Sequence, residues 1–216
     1  MTPEILRIWR GRIRPADAGE YEQYSSATAF PHMTGVDGNR GLYLARRELT
    51  TEGAEEFASF SLWSSWDAVR RFAGDTHDQA VDLPEDERFL VDQWKSMENY
   101  EIFRSVPIAD AGDKARIVRV WRGATRRSDG DAYEDYLGRT GFAEYSATEG
   151  NQGVYMARRD GGDQARICCV TLWESMDAVR AFAGDDPERA VFYPEDKRFL
   201  VDRELTVAHY TVYSST

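Results

Sequence analysis

The chain contains nearly the same sequence twice, and this repeat limits the folds open to it more than any other feature. Residues 5–11 (ILRIWRG) return as residues 117–123 (IVRVWRG), and residues 67–75 (DAVRRFAGD) return as residues 177–185 (DAVRAFAGD). The offset falls from 112 to 110 positions because one loop is two residues shorter in the second copy. A duplicated module usually builds a pseudo-symmetric pair, so positions at which the copies differ are the informative ones.

Two modules fit the length of the chain. With 216 residues and 42% hydrophobic residues, each half is large enough to bury its own core. We predict an N-terminal module over residues 1–107 and a C-terminal module over residues 114–216. The short polar segment Asp110–Lys114 is the predicted linker. Aromatic residues make up 12% of the chain, which favours an aromatic-lined cavity, although core packing alone also explains it.

The net charge limits the binding partners that are expected, and the cysteines bear on the cellular compartment. The formal net charge is −11, which opposes binding to nucleic acid or to an anionic membrane surface. Cys168 and Cys169 are neighbours on a predicted strand, so their side chains point to opposite faces and a disulfide between them is not expected. The sequence shows no signal peptide and no apolar run of about 18 residues. We therefore expect a soluble cytoplasmic protein.

The second copy shows the predicted order of elements most clearly. Short β-branched runs predict strands, and apolar residues at three-to-four-residue spacing predict helices. Ser175 and Gly184 are expected to begin and end the second helix. The predicted elements are strand Ile117–Arg122, helix Asp131–Thr140, strands Gly153–Arg159 and Ala165–Trp173, a helix after Ser175, and strand Thr206–Tyr213.

The order β-α-β-β-α-β predicts an α+β fold of the ferredoxin-like type, with both helices on one face of an antiparallel sheet. The first strand places Val118 and Val120 on one face and Arg119 and Trp121 on the other. A face that carries both tryptophan and charge would not lie in water. We therefore expect the second faces of the two sheets to meet and enclose a partly polar chamber.

Longer motifs resemble those of the antibiotic biosynthesis monooxygenase-like family in the dimeric α/β-barrel superfamily. The resemblance rests on Leu172-Trp173, residues 175–185 (SMDAVRAFAGD), residues 192–196 (FYPED) and residues 209–212 (HYTV). It implies a pseudo-dimeric α/β barrel within one chain and leaves further homodimerisation open. Activities in the superfamily include oxygenation of polyketide phenols without a cofactor, haem degradation, isomerisation and dehydration, and the fold does not choose among them.

The copies differ at titratable positions. The second copy has His209, Tyr193, Phe192 and Tyr145, and the first copy has these counterparts: Asn99, Leu83, Asp82 and Met33. One interpretation is a single competent chamber in the second half, supported by the first half. Neutral drift between two structural halves is the alternative.

His209 is the candidate base. An imidazole with the usual pKa of about 6.5 can take a phenolic or enolic proton near neutral pH. The alternative is a strand histidine that is hydrogen-bonded to a neighbour. Tyr193 and Trp173 complete the predicted catalytic set. The alternative for Tyr193 is that it anchors a loop, and the alternative for Trp173 is that it only packs in the core.

Five further residues are predicted to bind the substrate. Tyr145 would wall the chamber, and Asn151 and Arg158 would hold an oxyanion. A turn role for Asn151 and an ion pair with an acid for Arg158 are the alternatives. The remaining predicted contacts are Trp121 and Phe192.

The sequence lacks phosphate-binding, dinucleotide-binding, nucleophile-elbow and zinc-protease motifs. Its three histidines are too few and too scattered to predict a metal or haem site. We therefore expect no cofactor, with a small-molecule substrate and dioxygen as the partners. The sequence hypothesis is a cofactor-independent monooxygenase, or a related tailoring enzyme, acting on an aromatic or polyketide-like molecule. The alternatives are a non-catalytic binding barrel and a non-oxidative cyclase, isomerase or lyase.

Overall fold

The computed structural model describes residues 2–49, 53–106 and 115–216, so the predicted linker Asp110–Lys114 lies outside the described residues. The chain forms two compact units. The first comprises Met1–Asn99 together with Thr211–Thr216, and the second comprises Tyr100–Tyr210. The module boundaries at residues 107 and 114 stay a prediction.

The first unit follows the predicted order. Its elements are β1 (Glu4–Ile13), α1 (Ala18–Ala27), α2 (Ala29–Thr34), β2 (Asn39–Leu49), β3 (Ala54–Trp63), α3 (Trp66–Ala73), α4 (Asp86–Phe89) and the first part of β4 (Leu90–Val106). Strand β3 pairs antiparallel with β1 on one side and with β2 on the other. Residues 211–215 add a further antiparallel strand to the outer edge of β2, with Arg46 opposite Thr211. The first unit therefore needs residues from the far end of the sequence.

The second unit repeats this plan. Its elements are β5 (Ile117–Arg126), α5 (Gly130–Arg139), α6 (Gly141–Ala147), β6 (Asn151–Gly161), β7 (Gln164–Trp173), α7 (Met176–Ala183), α8 (Asp196–Phe199), β8 (Leu200–Arg203) and the start of β9 (Ala208–Ser215). Strand β7 pairs antiparallel with β5 and β6. The end of β4 pairs with β6, with Glu101 opposite Arg158. The predicted α+β class with two tandem ferredoxin-like modules is confirmed.

Local sequence signals explain how the second helix of each unit begins and ends. The Oγ atoms of Ser65 and Ser175 accept hydrogen bonds from the third residue after them, at 3.2 and 3.1 Å. Gly184 ends α7 with a φ of 83°, a backbone conformation that residues with a Cβ rarely adopt. The predicted cap and end of this helix are confirmed.

The first helical region differs from the prediction. The sequence predicts one helix over Asp131–Thr140, whereas the structure has α5 followed at once by α6. Thr140 lies between them with φ −115° and ψ −96°, outside helical values. Helix α6 was missed because its seven residues (GFAEYSA) carry only a short apolar pattern. It matters for function because it brings Tyr145 to the core of the second unit.

Candidate functional site

Each unit contains a cavity on the ring-bearing face of its first strand, and the two cavities occupy equivalent positions. All eleven described residues that line the second-unit cavity have a sequence counterpart that lines the first-unit cavity. Arg7 and Trp9 of β1 correspond to Arg119 and Trp121 of β5. The first-unit cavity is additionally lined by His32. The repeat in the sequence is thus also a repeat of a site.

The two cavities differ in size, with volumes of about 60 Å³ in the first unit and about 20 Å³ in the second. Larger side chains fill the second cavity. It has Leu137, Tyr145 and Tyr193 where the first cavity has the following residues: Ser25, Met33 and Leu83. Sequence comparison predicted the competent chamber in the second half, whereas the larger of these two equivalent cavities lies in the first. The first cavity is larger because its side chains at these three positions are smaller.

Hydrogen bonds and ring stacking hold in place the large side chains that fill the second-unit cavity. The Tyr193 hydroxyl donates to a carboxylate oxygen of Glu144 at 2.5 Å. The Tyr145 ring stacks on Phe182 with 4.3 Å between centroids, and Nη1 of Arg119 donates to the Tyr145 hydroxyl at 3.4 Å. Burial raises the pKa of both tyrosines, and for Tyr193 the bond to Glu144 adds to this effect. Both phenols therefore stay protonated near neutral pH.

A buried arginine dominates the polar side of the first-unit cavity. Arg7 is 1% exposed. Its Nη1 donates to Oδ1 of Asn99 at 2.9 Å and also to the carbonyl oxygen of His77, and its Nη2 donates to the carbonyl oxygen of Gln79 at 2.8 Å. Burial lowers the pKa of Arg7 to about 10, an effect that Asp78 partly offsets. The guanidinium is therefore held in place by neutral acceptors.

A carboxyl group lies on the same cavity. Oδ2 of Asp86 accepts a hydrogen bond from the backbone N–H of Leu83 at 2.8 Å, and burial raises the pKa of Asp86. In the second unit, the counterpart Asp196 accepts a bond from the Tyr133 hydroxyl at 3.0 Å. The first unit has no such bond from Tyr21 to Asp86, and Oδ1 of Asp86 has no partner among the residues that the structure describes.

Further polar groups line the first-unit cavity. His32 is exposed and its ring lies 5.5 Å from that of Phe72. The hydroxyl groups of Ser25 and Tyr213 are 2.9 Å apart and hydrogen-bonded. Tyr213 comes from residues 211–216, which complete this unit. The cavity thus combines a buried cation, a carboxyl group and an accessible imidazole.

Three of the residues predicted from sequence lie together around the second-unit cavity: Tyr145, Tyr193 and Trp121. Trp173 lies behind them, fully buried, with its ring centroid 6.3 Å from that of Tyr145 and its Nε1 donating to Thr171 at 2.8 Å. Phe192 is 36% exposed and contacts the edge of Trp121. Ring contacts therefore join these aromatic residues in two pairs, Tyr145 with Trp173 and Trp121 with Phe192.

The other predicted residues lie apart from that cavity. Arg158 forms ion pairs with three acids of its own unit, Asp160 at 2.5 Å, Asp131 at 2.7 Å and Glu134 at 3.1 Å. Asn151 begins β6, where its backbone N–H donates to the carbonyl oxygen of Thr148 at 3.1 Å. His209 is half-buried and is not among the described lining residues of either cavity. Their catalytic and binding roles stay predictions.

The sequence reasoning did not single out Arg7, Asp86 or His32. A signal for Arg7 was present, because strand alternation already placed its counterpart Arg119 on the same face as Trp121. An arginine inside a strand between buried apolar neighbours, and repeated in both copies, indicates a buried cation. Asp86 was interpreted only as part of a helix-start motif. It is the first residue of α4, and its carboxylate accepts a hydrogen bond from Leu83, which precedes the helix, so it does not cap the helix.

Gly11 explains why Trp-Arg-Gly occurs in both copies. A Cβ at Gly11 would lie 2.7 Å from the Trp9 ring and 2.6 Å from Leu90, so the ring lies over the glycine. We expect Gly11→Ala to displace Trp9, to narrow the cavity and to lower the free energy of unfolding by about 1–3 kcal/mol. Urea unfolding followed by tryptophan fluorescence measures this. The control Gly19→Ala, in α1 with nothing within 4 Å of the added Cβ, should not destabilise the protein.

Comparisons with known proteins agree with the fold. No family model matches the sequence, and no curated protein matches it. Among solved structures, the protein named "putative monooxygenase" from Fusobacterium nucleatum has a TM-score of 0.71 at 9% identity, over 99% of this chain and 93% of that chain. A protein of the same name from Lactobacillus acidophilus has a TM-score of 0.66 at 9% identity, over 98% and 93%. An anthrone oxidase-like protein has a TM-score of 0.64 at 14% identity, over 99% and 93%.

A further solved structure is named as a ferredoxin fold protein related to antibiotic biosynthesis monooxygenases, from Listeria monocytogenes, with a TM-score of 0.51 at 8% identity over 99% of this chain and 96% of that chain. The chain therefore has the ferredoxin-like fold of the antibiotic biosynthesis monooxygenase-like proteins along almost its whole length. At these identities the likeness concerns the fold. Within the described ranges, no helix has both the length and the apolar character needed to cross a bilayer.

Proposed function

We propose that the chain is a cofactor-independent monooxygenase, or a related tailoring enzyme of secondary metabolism, that acts on an aromatic or polyketide-like small molecule. The observation that carries this proposal is the first-unit cavity, in which aromatic walls surround a buried arginine. The names of the structural neighbours support the reaction class. The buried free thiols of Cys168 and Cys169 support a reducing, cytoplasmic location.

The reaction needs a base, an anion site and a space shielded from water. A base removes a proton from a phenol or from an activated ring carbon, which gives a resonance-stabilised anion. This anion transfers one electron to dioxygen, and the resulting radical pair forms a carbon–oxygen bond. The hydroperoxide then loses water and leaves a carbonyl group. One oxygen atom stays in the product and the other leaves as water, so the substrate supplies all four electrons.

Residues of the first-unit cavity match these needs. His32 lies at the cavity mouth and would take the proton, because imidazole is the side chain that usually titrates near neutral pH. Arg7 would stabilise the oxyanion from a buried position, where an electrostatic contact is worth more than in water. Trp9 and Phe72 would wall the ring. His209, the base predicted from sequence, is the alternative if the reaction belongs to the second unit.

Paired histidine variants test the proposal and choose between the two bases. Oxygen uptake is measured with hydroxyanthrones and with single-ring phenols under air. We expect His32→Ala to lower kcat by about 10²-fold or more, since removal of a general base has an effect of this order. His209→Ala should leave kcat within about twofold. The reverse pattern would assign the reaction to the second unit, and no oxygen uptake with any of these substrates would overturn the proposed reaction.

A further inference from the structure

Arg7 has more hydrogen-bond donors than the protein uses. A guanidinium carries five N–H groups, of which three donate to Asn99, His77 and Gln79. Nε of Arg7 is buried and has no hydrogen-bond partner among the described residues. The two remaining donors are therefore on Nε and Nη2, the pair of nitrogens that can bind a carboxylate with two parallel bonds.

Arg7 also lacks a direct ion pair among the residues that the structure describes, although the more distant charge of Asp78 partly offsets the effect of burial on its pKa. Its three acceptors are two backbone carbonyls and one amide, all of them neutral. No carboxylate in the described part of the chain lies within ion-pair distance of the guanidinium. A buried charge without a counter-ion is costly, and charged side chains are seldom buried without one. Because Arg7 lines the cavity, an anion in the cavity could supply the missing partner.

A second polar atom on the same cavity lacks a hydrogen-bond partner in the described part of the chain, and this one is an acceptor rather than a donor. Oδ1 of Asp86 is a buried acceptor without a partner among the described residues. In the second unit this position is satisfied, because Tyr133 donates to Oδ1 of Asp196. The first-unit cavity therefore presents unused donors at Arg7 and an unused acceptor at Asp86. A ligand that satisfies both carries an anionic group and a separate hydroxyl donor.

The walls and the volume define the rest of the ligand. Trp9, Phe72 and Met33 are apolar lining residues, which suit a flat ring. The cavity has a volume of about 60 Å³, roughly five times the ~12 Å³ that one water needs and below the ~150 Å³ of engineered cavities that bind benzene. Because the exposed His32 lies on its lining, a ring would lie partly inside the cavity and the rest of the ligand would extend past His32.

We propose that the first-unit cavity binds a hydroxylated aromatic carboxylate, with the carboxylate on Arg7 and the ring hydroxyl donating to Asp86. The inference rests on the proposed function only in taking this acid to be the substrate or a close analogue of it. Binding itself requires no reaction. The second-unit cavity, at about 20 Å³, is too small for a ring, so one molecule binds to each chain.

Calorimetric titration under nitrogen tests the proposal on the full chain. The probes are 3- and 4-hydroxybenzoate, their uncharged amides, and benzoate. We expect at least one hydroxybenzoate to bind with a stoichiometry of one, at least tenfold more tightly than its amide and more tightly than benzoate. Equal affinity for acid and amide, or no binding of either hydroxybenzoate, would overturn the assignment.

The repeat supplies a matched control. Arg7→Met should weaken hydroxybenzoate binding at least tenfold and leave the amide unaffected, whereas Arg119→Met, the same change in the second unit, should leave hydroxybenzoate binding unchanged. Should Arg7→Met fail to fold by circular dichroism, Leu83→Tyr provides the test with Arg7 intact. It places in the first cavity the residue that fills the second, and we expect it to abolish binding. Hydroxybenzoate binding of undiminished affinity in whichever of the two variants folds would overturn the proposal.

Parallel oxygen-uptake measurements separate this inference from the proposed function. Hydroxybenzoate binding without oxygen uptake from any aromatic substrate would support the site and contradict the monooxygenase reaction. Oxygen uptake from uncharged phenols, together with no acid binding, would contradict the site and support the reaction.

Discussion

Replacement of Trp173 by alanine is expected to lower the free energy of unfolding by about 3–5 kcal/mol, the range observed for large-to-small changes of buried aromatic residues. Trp173 is fully buried, packs against Tyr145 and Phe182, and donates to Thr171. The change would leave a void in the core of the second unit and remove the hydrogen bond that the Thr171 hydroxyl accepts. Urea unfolding followed by circular dichroism measures the effect.

The first unit offers a matched variant for this prediction. Trp63 is also fully buried and donates to Ser61 at 2.9 Å, so Trp63→Ala should cost a similar amount. Trp173→Phe keeps a ring in the core and should cost less than the alanine variant. If Trp173→Ala abolished oxygen uptake with no loss of stability, Trp173 would have the catalytic role predicted from sequence, and the packing role would be wrong.

The second large effect is the opening of a second cavity. A double variant, Tyr145→Met with Tyr193→Leu, gives the second unit the residues that the first unit has at these positions. We expect the stoichiometry of hydroxybenzoate binding to rise from one to two per chain, because the counterpart Arg119 is already buried there with an unpaired Nε. Titration calorimetry measures the stoichiometry, and circular dichroism reports on folding.

The double variant has a cost in stability. It removes the Tyr193–Glu144 hydrogen bond, worth about 1 kcal/mol, and it removes the stacking of Tyr145 on Phe182. Tyr136→Phe is a suitable control, because it deletes a hydroxyl that contacts the backbone of Glu195 and leaves both cavities lined as before. A folded double variant that still bound one molecule would show that side-chain filling does not explain the difference between the cavities.

Local patterns in the sequence were sufficient to predict most of the helices and strands of the fold. The strand Gln164–Trp173 and the helix Met176–Ala183 lie within one residue of their predicted limits, because β-branched runs, a serine cap and a glycine end act over a few residues. Helix α5 ends within one residue of its predicted limit, whereas the helix Gly141–Ala147 that follows was not predicted, because its apolar pattern is too short to indicate a helix. The division of β4 and β9 between the two units depends on long-range pairing, which local patterns do not encode.

The site was harder to predict than the fold. The types of side chain in the sequence identified the aromatic residues Tyr145 and Tyr193. They also favoured the second half as the site of the reaction, because that half has more titratable residues. These larger side chains line a cavity of only about 20 Å³, so the role of the second half stays a prediction. The size of a cavity depends on the absence of large side chains. Leu83, for example, stands where the second copy has a tyrosine, and a search for reactive side chains does not detect such an absence. His209 was chosen because an imidazole can act as a base. Whether a residue lines a cavity depends on its position in three dimensions, which its side-chain type does not indicate.

Residues 211–216 belong to the first unit although residues 100–210 form the second. During synthesis on the ribosome, the amino-terminal half therefore waits for its closing strand until more than a hundred further residues have been made. At about 5–20 residues per second this delay lasts several seconds. Tyr213, which lines the larger cavity, belongs to this later segment, so the lining of the first-unit cavity is completed only after the second unit has been synthesised.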